Sequence, residues 1–305
     1  MGLIDFEFRR ERKLGEFVQD FINLLKVINR HLISQLFKLL LVPIALVILM
    51  GYYLSTQLSL NNSYTTIDSV NVFLSFMALG GLIFIIALFA FGFGIEYFIL
   101  LRNRKSLDFN SFDIWNQFKA HIGYYFRFFL AMLIVGIIIF IPTALAMMLS
   151  AFIPFVGSFA VGILLSAIGL WFFSSFMLYR EGYDDLLDCF GSAFGMLKKK
   201  ILEYGLASYI VSFIFQSLLS IITVFPLVII FLITYNSIGF NNDFFASGLG
   251  RSIATFGGLI VTLLVIIYYL LSVISFGIIY ETAKELKYGE DVFDRIDKLA
   301  GEAHA

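Results

Sequence analysis

Apolar residues in this chain come in long runs, and polar residues are confined to the short stretches between them. Six runs come close to or exceed the roughly 20 residues that a helix needs to cross a hydrocarbon core about 30 Å thick. They are Leu36–Leu54, Val70–Ile95, Phe126–Ser150, Ile153–Tyr179, Leu206–Tyr235 and Ile253–Tyr280. Several run well past that length, so tilts, kinks or helical extensions are expected. Pro43, Pro142 and Pro226 fall inside the first, third and fifth runs, where the missing N–H kinks a helix.

The stretches before runs one, three and five, and after run six, have another pattern. Apolar residues recur there at steps of three or four, as on one face of a helix. The first stripe is Leu14, Phe17, Phe21, Leu25, Ile28 and Leu32; the second is Phe112, Trp115, Phe118 and Ile122. Leu186, Leu187, Phe190, Phe194 and Leu197 form the third, and Val292, Phe293, Ile296 and Leu299 the fourth. Such helices suit the membrane interface, apolar face down. The pattern predicts an all-α polytopic membrane protein with six transmembrane helices and cytoplasmic amphipathic interfacial helices. It would be a single integral membrane domain over 1–305, with an N-terminal amphipathic helix (1–35), the spans (36–280) and an amphipathic tail (281–305). A unit of interfacial helix, span, outer turn and returning span would occur three times.

Composition agrees. The chain is 60% apolar, 18% aromatic and only 14% charged, with mean hydropathy +0.92, far from the balance of a water-soluble domain. A net charge of −1 gives no reason to expect a nucleic-acid partner. Of the 21 Lys and Arg, all but Arg251 lie in alternate connections and the two termini. The positive-inside rule then puts both termini in the cytoplasm of a multi-pass protein of the inner (plasma) membrane. The opposite connections, 55–69 and 236–251, are rich in Asn, Ser, Thr and Gly, and Asn61–Ser63 matches a glycosylation sequon. Residues 1–13 mix acids and arginines without a cleavage site, so no export signal is expected. "MGLIDF" lacks the hydroxyl residue of a myristoylation site.

Ionisable residues inside apolar runs are the candidates for chemistry. Glu96, in "FGFGIEYFILL", lies near the end of run two, and Arg127, in "YYFRFFLAM", near the start of run three. The expectation is a structural ion pair between them rather than a relay. Gln216, in "SFIFQSLL", is read as an interhelical hydrogen bond, and Glu203 as a partner for Lys198, Lys199 and Lys200. Those lysines are the candidate contact to lipid or to a partner. His31, His121 and His304 are scattered, so no metal site and no cofactor are expected. Cys189 stands among acids, which disfavours a reactive thiolate. The small residues of "FGFG" (91–94) and Gly80–Gly81 would let helices approach closely. "GLGRS" (248–252) lacks the lysine and the preceding strand of a phosphate-binding loop.

Two stretches, "FMLYREGYDDLLDCFGSAFGMLKKK" and "GIIYETAKELKYGEDVFDRIDKLAG", resemble bacterial polytopic proteins related to the membrane domain of glycerophosphodiester phosphodiesterases. Tyr280, Gly289, Glu290 and Asp291 match the ending of that pattern. The resemblance implies membrane residence without catalysis, since the phosphodiesterase domain is absent. It also implies company with other membrane proteins and a MoxR-type AAA+ ATPase system. The expected function is a non-enzymatic inner-membrane subunit or scaffold, presenting amphipathic cytoplasmic helices to partners or anionic lipid. The alternative is a small transporter or channel using Glu96, Arg127 and Gln216.

Overall fold

A computed structural model describes residues 4–57, 66–150, 152–153, 156–238 and 248–289. Among them are seven helices and no strand: α1 Leu14–Gln57, α2 Thr66–Arg104, α3 Ser111–Ser150, α4 Val156–Glu181, α5 Asp188–Leu197, α6 Ile201–Ile238 and α7 Gly248–Tyr288. Six are long and apolar enough to cross a membrane. Large apolar side chains stand exposed along them, Ile137 at 71%, Phe140 at 70% and Leu41 at 66%. Water would penalise such a surface heavily and lipid would not. The chain is an all-α, multi-pass membrane protein.

The helices are longer than the apolar runs. At about 1.5 Å per residue, the 44 residues of α1 extend roughly twice the thickness of a hydrocarbon core. The first amphipathic stretch is therefore not a separate helix turned flat on the membrane. It continues into the span without a break. Its buried stripe is Phe17, Phe21, Leu24 and Ile28, with Leu24 in place of the expected Leu25 because the true period brings 24 round to the inner face. The second stretch likewise opens α3. Asn110 caps it, its Oδ1 accepting from the backbone N–H of Phe112 at 2.8 Å and of Asp113 at 3.1 Å. The Asp113 carboxylate accepts from the Asn110 N–H at 3.1 Å, closing a capping box. Ile114 and Phe118 are buried, while Phe112 and Ile122 are exposed.

The third stretch does form its own helix, α5, shorter than expected and followed by a turn at 198–200. Its inner face is Cys189, Phe190, Ala193, Met196 and Leu197; Leu187 and Phe194 point outward. Of the fourth, residues 281–288 complete α7, and the stripe from Val292 to Leu299 lies outside the described residues. So do the sequon and most of both polar outer connections.

The chain divides into two compact units. The first combines Met1–Arg30, Gly94–Phe213 and Leu271–Ala305; the second combines His31–Phe93 and Ile214–Leu270. In the second, Leu36, Leu40, Ile86, Ala90, Ile266 and Leu270 are buried, and Phe91 meets Tyr269 at 5.8 Å. A Cβ on Gly80 or Gly81 would meet nothing within 4 Å, so these glycines mark no close helix approach. The first unit holds α3, α4, α5 and the basic-rich ends of the other helices.

Candidate functional site: a buried charge cluster

Three helix ends in the first unit carry a local signal that stops the helix and aims its last side chains. α4 ends in a Schellman motif. Gly182 takes a φ of 77°, its N–H donates to the Tyr179 carbonyl at 3.2 Å, and the Tyr183 N–H donates to Leu178 at 3.0 Å. α7 ends on Gly289 at φ 64°, with its N–H on the Glu285 carbonyl at 2.8 Å. α2 ends on Lys105, a non-glycine at φ 47°. The last polar residues of the three returning spans are thereby fixed.

They form one cluster. Nη1 of Arg102 donates to both Glu181 and Glu281. Oε2 of Glu181 also accepts from the Tyr280 hydroxyl at 2.8 Å and from Lys284 Nζ at 2.9 Å. Arg9, from the N-terminal segment, reaches Oε2 of Glu281 at 3.4 Å. The Lys284 ammonium lies 4.4 Å from the centre of the Tyr183 ring, a cation–π contact, and Tyr183 stacks on Tyr288 at 5.7 Å. Next to Glu181 in sequence, Arg180 sets Nη2 3.4 Å from both carboxylate oxygens of Glu96. The Tyr125 hydroxyl donates to Glu96 at 2.9 Å. Glu96, Glu281 and Tyr280 are fully buried. Buried carboxylates are tolerated only when matched in this way by cations and hydrogen bonds.

The N-terminal segment is fastened over the same unit. Arg12, 4% exposed, donates through Nε to Asp20 at 2.8 Å. It also donates to the Phe8 carbonyl at 3.1 Å, the Thr282 hydroxyl at 3.2 Å and the Glu7 carbonyl. The Ile4 N–H donates to the Lys105 carbonyl at 2.7 Å, Phe8 meets Phe98 edge-on at 5.9 Å, and Lys200 pairs with Glu11 at 3.0 Å.

Of the residues singled out from sequence, Glu96 is at this site, but its cation is Arg180 rather than Arg127. Arg127 is exposed on α3. Gln216 is exposed too, and belongs to the second unit. Lys198 and Lys199 are exposed, while Lys200 has its partner in Glu11 rather than Glu203. His31 meets Gln35 at 3.2 Å and His121 the Gln117 carbonyl at 2.8 Å; His304 lies outside the described residues. Among the described residues no three of His, Cys, Asp and Glu are grouped as a metal would require. Cys189 is fully buried, and burial, with Asp184 and Asp188 nearby, pushes its thiol up to about 12. It is a poor nucleophile at neutral pH.

Arg9, Arg102, Arg180, Glu181, Glu281 and Lys284 drew no notice in the sequence as a group. A signal for them exists: each returning span ends with a tyrosine beside or near a glutamate, in "IEYF", "LYREG" and "IYETAKE". An acid near the end of each of three alternate spans asks for three partners.

The fold and this cluster define a helical multi-pass membrane protein whose basic-rich end is closed by internal ion pairs. No family model matches the chain, and neither a curated protein nor a solved structure matches it.

Proposed function

We propose that this protein is a non-enzymatic subunit or scaffold of a larger complex in the inner membrane, with both termini in the cytoplasm. The observation that carries the reading is how the buried charges are used. Glu96 and Glu181 are each held by cations and a tyrosine hydroxyl of the same chain, and Glu281 by Arg102 and Arg9, an arrangement suited to fixing helix ends rather than to binding a solute. Outside the cluster, the start of α1 presents Glu16, Gln19, Asn23, Lys26 and Arg30 on an exposed face. That face is the docking surface for a cytoplasmic partner. The resemblance to glycerophosphodiester phosphodiesterase membrane domains, with its link to MoxR-type AAA+ ATPases, points to the same kind of partner.

The test uses the tagged full chain, purified in mild detergent with whatever it holds in stoichiometric amount. Lys26→Glu with Arg30→Glu is expected to release that partner and to leave thermal stability unchanged. A chain that carries no stoichiometric partner, or one indifferent to the double reversal, overturns the reading. The transporter alternative is separated by flux into liposomes. Glu96→Gln together with Arg180→Met is expected to keep the fold, because a buried pair removed as a whole leaves no uncompensated charge. Solute flux by the unaltered chain that vanishes in this variant would establish the transporter instead.

Topology has its own check. With Cys189 replaced by Ala, a cysteine at the exposed Phe152, in the turn between α3 and α4, should label from outside intact cells. A cysteine at the exposed Lys119 should label only after the membrane is opened. The reverse pattern would invert the orientation.

A further inference from the structure

α5 is the one described helix that is too short to span, and its place in the first unit is unusual. The indole N–H of Trp171 donates to the Phe190 carbonyl at 2.9 Å, and the Phe190 ring stacks on Phe128 at 5.3 Å and 16°. Trp171 lies ten residues before the end of α4 at Glu181, which is about 15 Å along the helix axis. α5 therefore does not sit on top of the bundle. It folds back beside α3 and α4, against side chains that belong to their apolar runs. Its inner face is fully used: Cys189, Ala193 and Leu197 are 0% exposed.

The outer side, which also carries Asp188 and Gly191, has large apolar groups on it and just beyond its ends. Leu187 is 72% exposed, Phe194 52%, and Leu202, just past the turn, 76%. At the end of this face stand Lys198 and Lys199, both exposed. Asp188 opens the helix at the opposite end, about 15 Å from Lys198 by the rise of ten residues, and Asp184 and Asp185 precede it. Exposed apolar groups at the level of Trp171, beside the exposed ammonium groups of Lys198 and Lys199, match the boundary between acyl chains and phosphate headgroups.

We propose that α5 and the lysines after it form an anionic-phospholipid anchor, with Phe194 and Leu202 among acyl chains and Lys198 and Lys199 on headgroup phosphates. This deepens the scaffold reading by assigning one surface to lipid, and it does not involve the partner-binding face of α1. Trp171 and Phe128 fix the helix at the right depth, and the Lys200–Glu11 ion pair ties the turn to the N-terminal segment.

The experiment places the full chain in nanodiscs of phosphatidylcholine alone or mixed with phosphatidylglycerol. Amide exchange over 188–202 should be slower in the mixed discs, by up to about 30-fold if two lysines each contribute as a basic residue near such a surface does. Lys198→Gln with Lys199→Gln should remove the difference between the two lipids. A spin label at Phe194→Cys, with Cys189→Ala, should be relaxed by oxygen and shielded from a water-soluble nickel reagent. Equal exchange in both lipids, or a lipid difference that survives the lysine substitutions, would overturn the headgroup contact. A label reached more readily by nickel would show α5 facing water or a soluble protein and would overturn the anchor as a whole. Neither result depends on whether a partner co-purifies.

Discussion

Arg102→Met destabilises the chain by about 3–5 kcal/mol, the cost of removing one member of a buried ion pair. The guanidinium lies between two carboxylates, Glu281 at 0% and Glu181 at 12% side-chain exposure. Without it, Glu181 retains Lys284 and Tyr280, and Glu281 retains only the longer contact to Arg9 among its described ion pairs. Two buried negative charges then face each other at close range in a medium that screens poorly. Thermal unfolding in nanodiscs measures the loss. Adding Glu281→Gln removes the worst-compensated charge, so the double variant should be more stable than Arg102→Met alone. Such non-additivity is the signature of groups in direct contact. If the two losses simply add, the three side chains do not act as a unit.

Gly277→Ala is the second substitution with a large expected effect, and it acts through shape rather than charge. A Cβ at this position would come within 2.6 Å of two Phe98 ring atoms and 2.7 Å of a third. The ring cannot swing aside. Phe98 is 0% exposed and has Phe8 edge-on at 5.9 Å. Overpacking of a rigid site costs about 1–3 kcal/mol, and Gly277→Val should cost more than Ala. The contact joins α2 to α7 just below Arg102 and Glu281, so the strain also reaches the ion pairs. Phe98→Leu in the Gly277→Ala background should recover stability, although Phe98→Leu alone leaves a void and loses it. A neutral Gly277→Ala, or a double variant no better than the worse single one, would show that the two helices have room to separate.

Much of this protein is legible along the chain because its strongest signals are local. An apolar run long enough to span, a glycine after a helix, or an Asn-x-x-Asp cap is contained within a few turns. Local periodicity does not decide direction. The stripe through Phe17, Phe21 and Ile28 specifies an amphipathic helix, but not whether that helix lies flat or continues into the span. α1 continues through to Gln57, past Pro43, whose missing N–H removes one hydrogen bond without ending the helix. In α5 the stripe drawn through Leu186, Leu187, Phe190, Phe194 and Leu197 mixed the two faces, since Phe190 and Leu197 are buried while Leu187 and Phe194 are exposed. Large apolar residues lie on both sides of that helix, so hydrophobicity alone could not tell inner from outer, and the packing of Phe190 on Trp171 and Phe128 settles it.

The charged residues show the same division. Proximity in sequence suggested Arg127 for Glu96, because the two runs were read as neighbours with facing ends. The carboxylate instead takes Arg180, 84 residues away. Arg102 finds Glu281 across 179 residues and Arg9 finds it across 272. The sequence by itself determined the helical class, the six spans and the concentration of basic residues at one end, since hydropathy and helical period are properties of neighbouring residues. Only the tertiary structure decided which acid meets which base. An isolated helix end leaves its Glu or Arg free to pair with any opposite charge, and the choice is made when several ends are packed together and water is excluded between them.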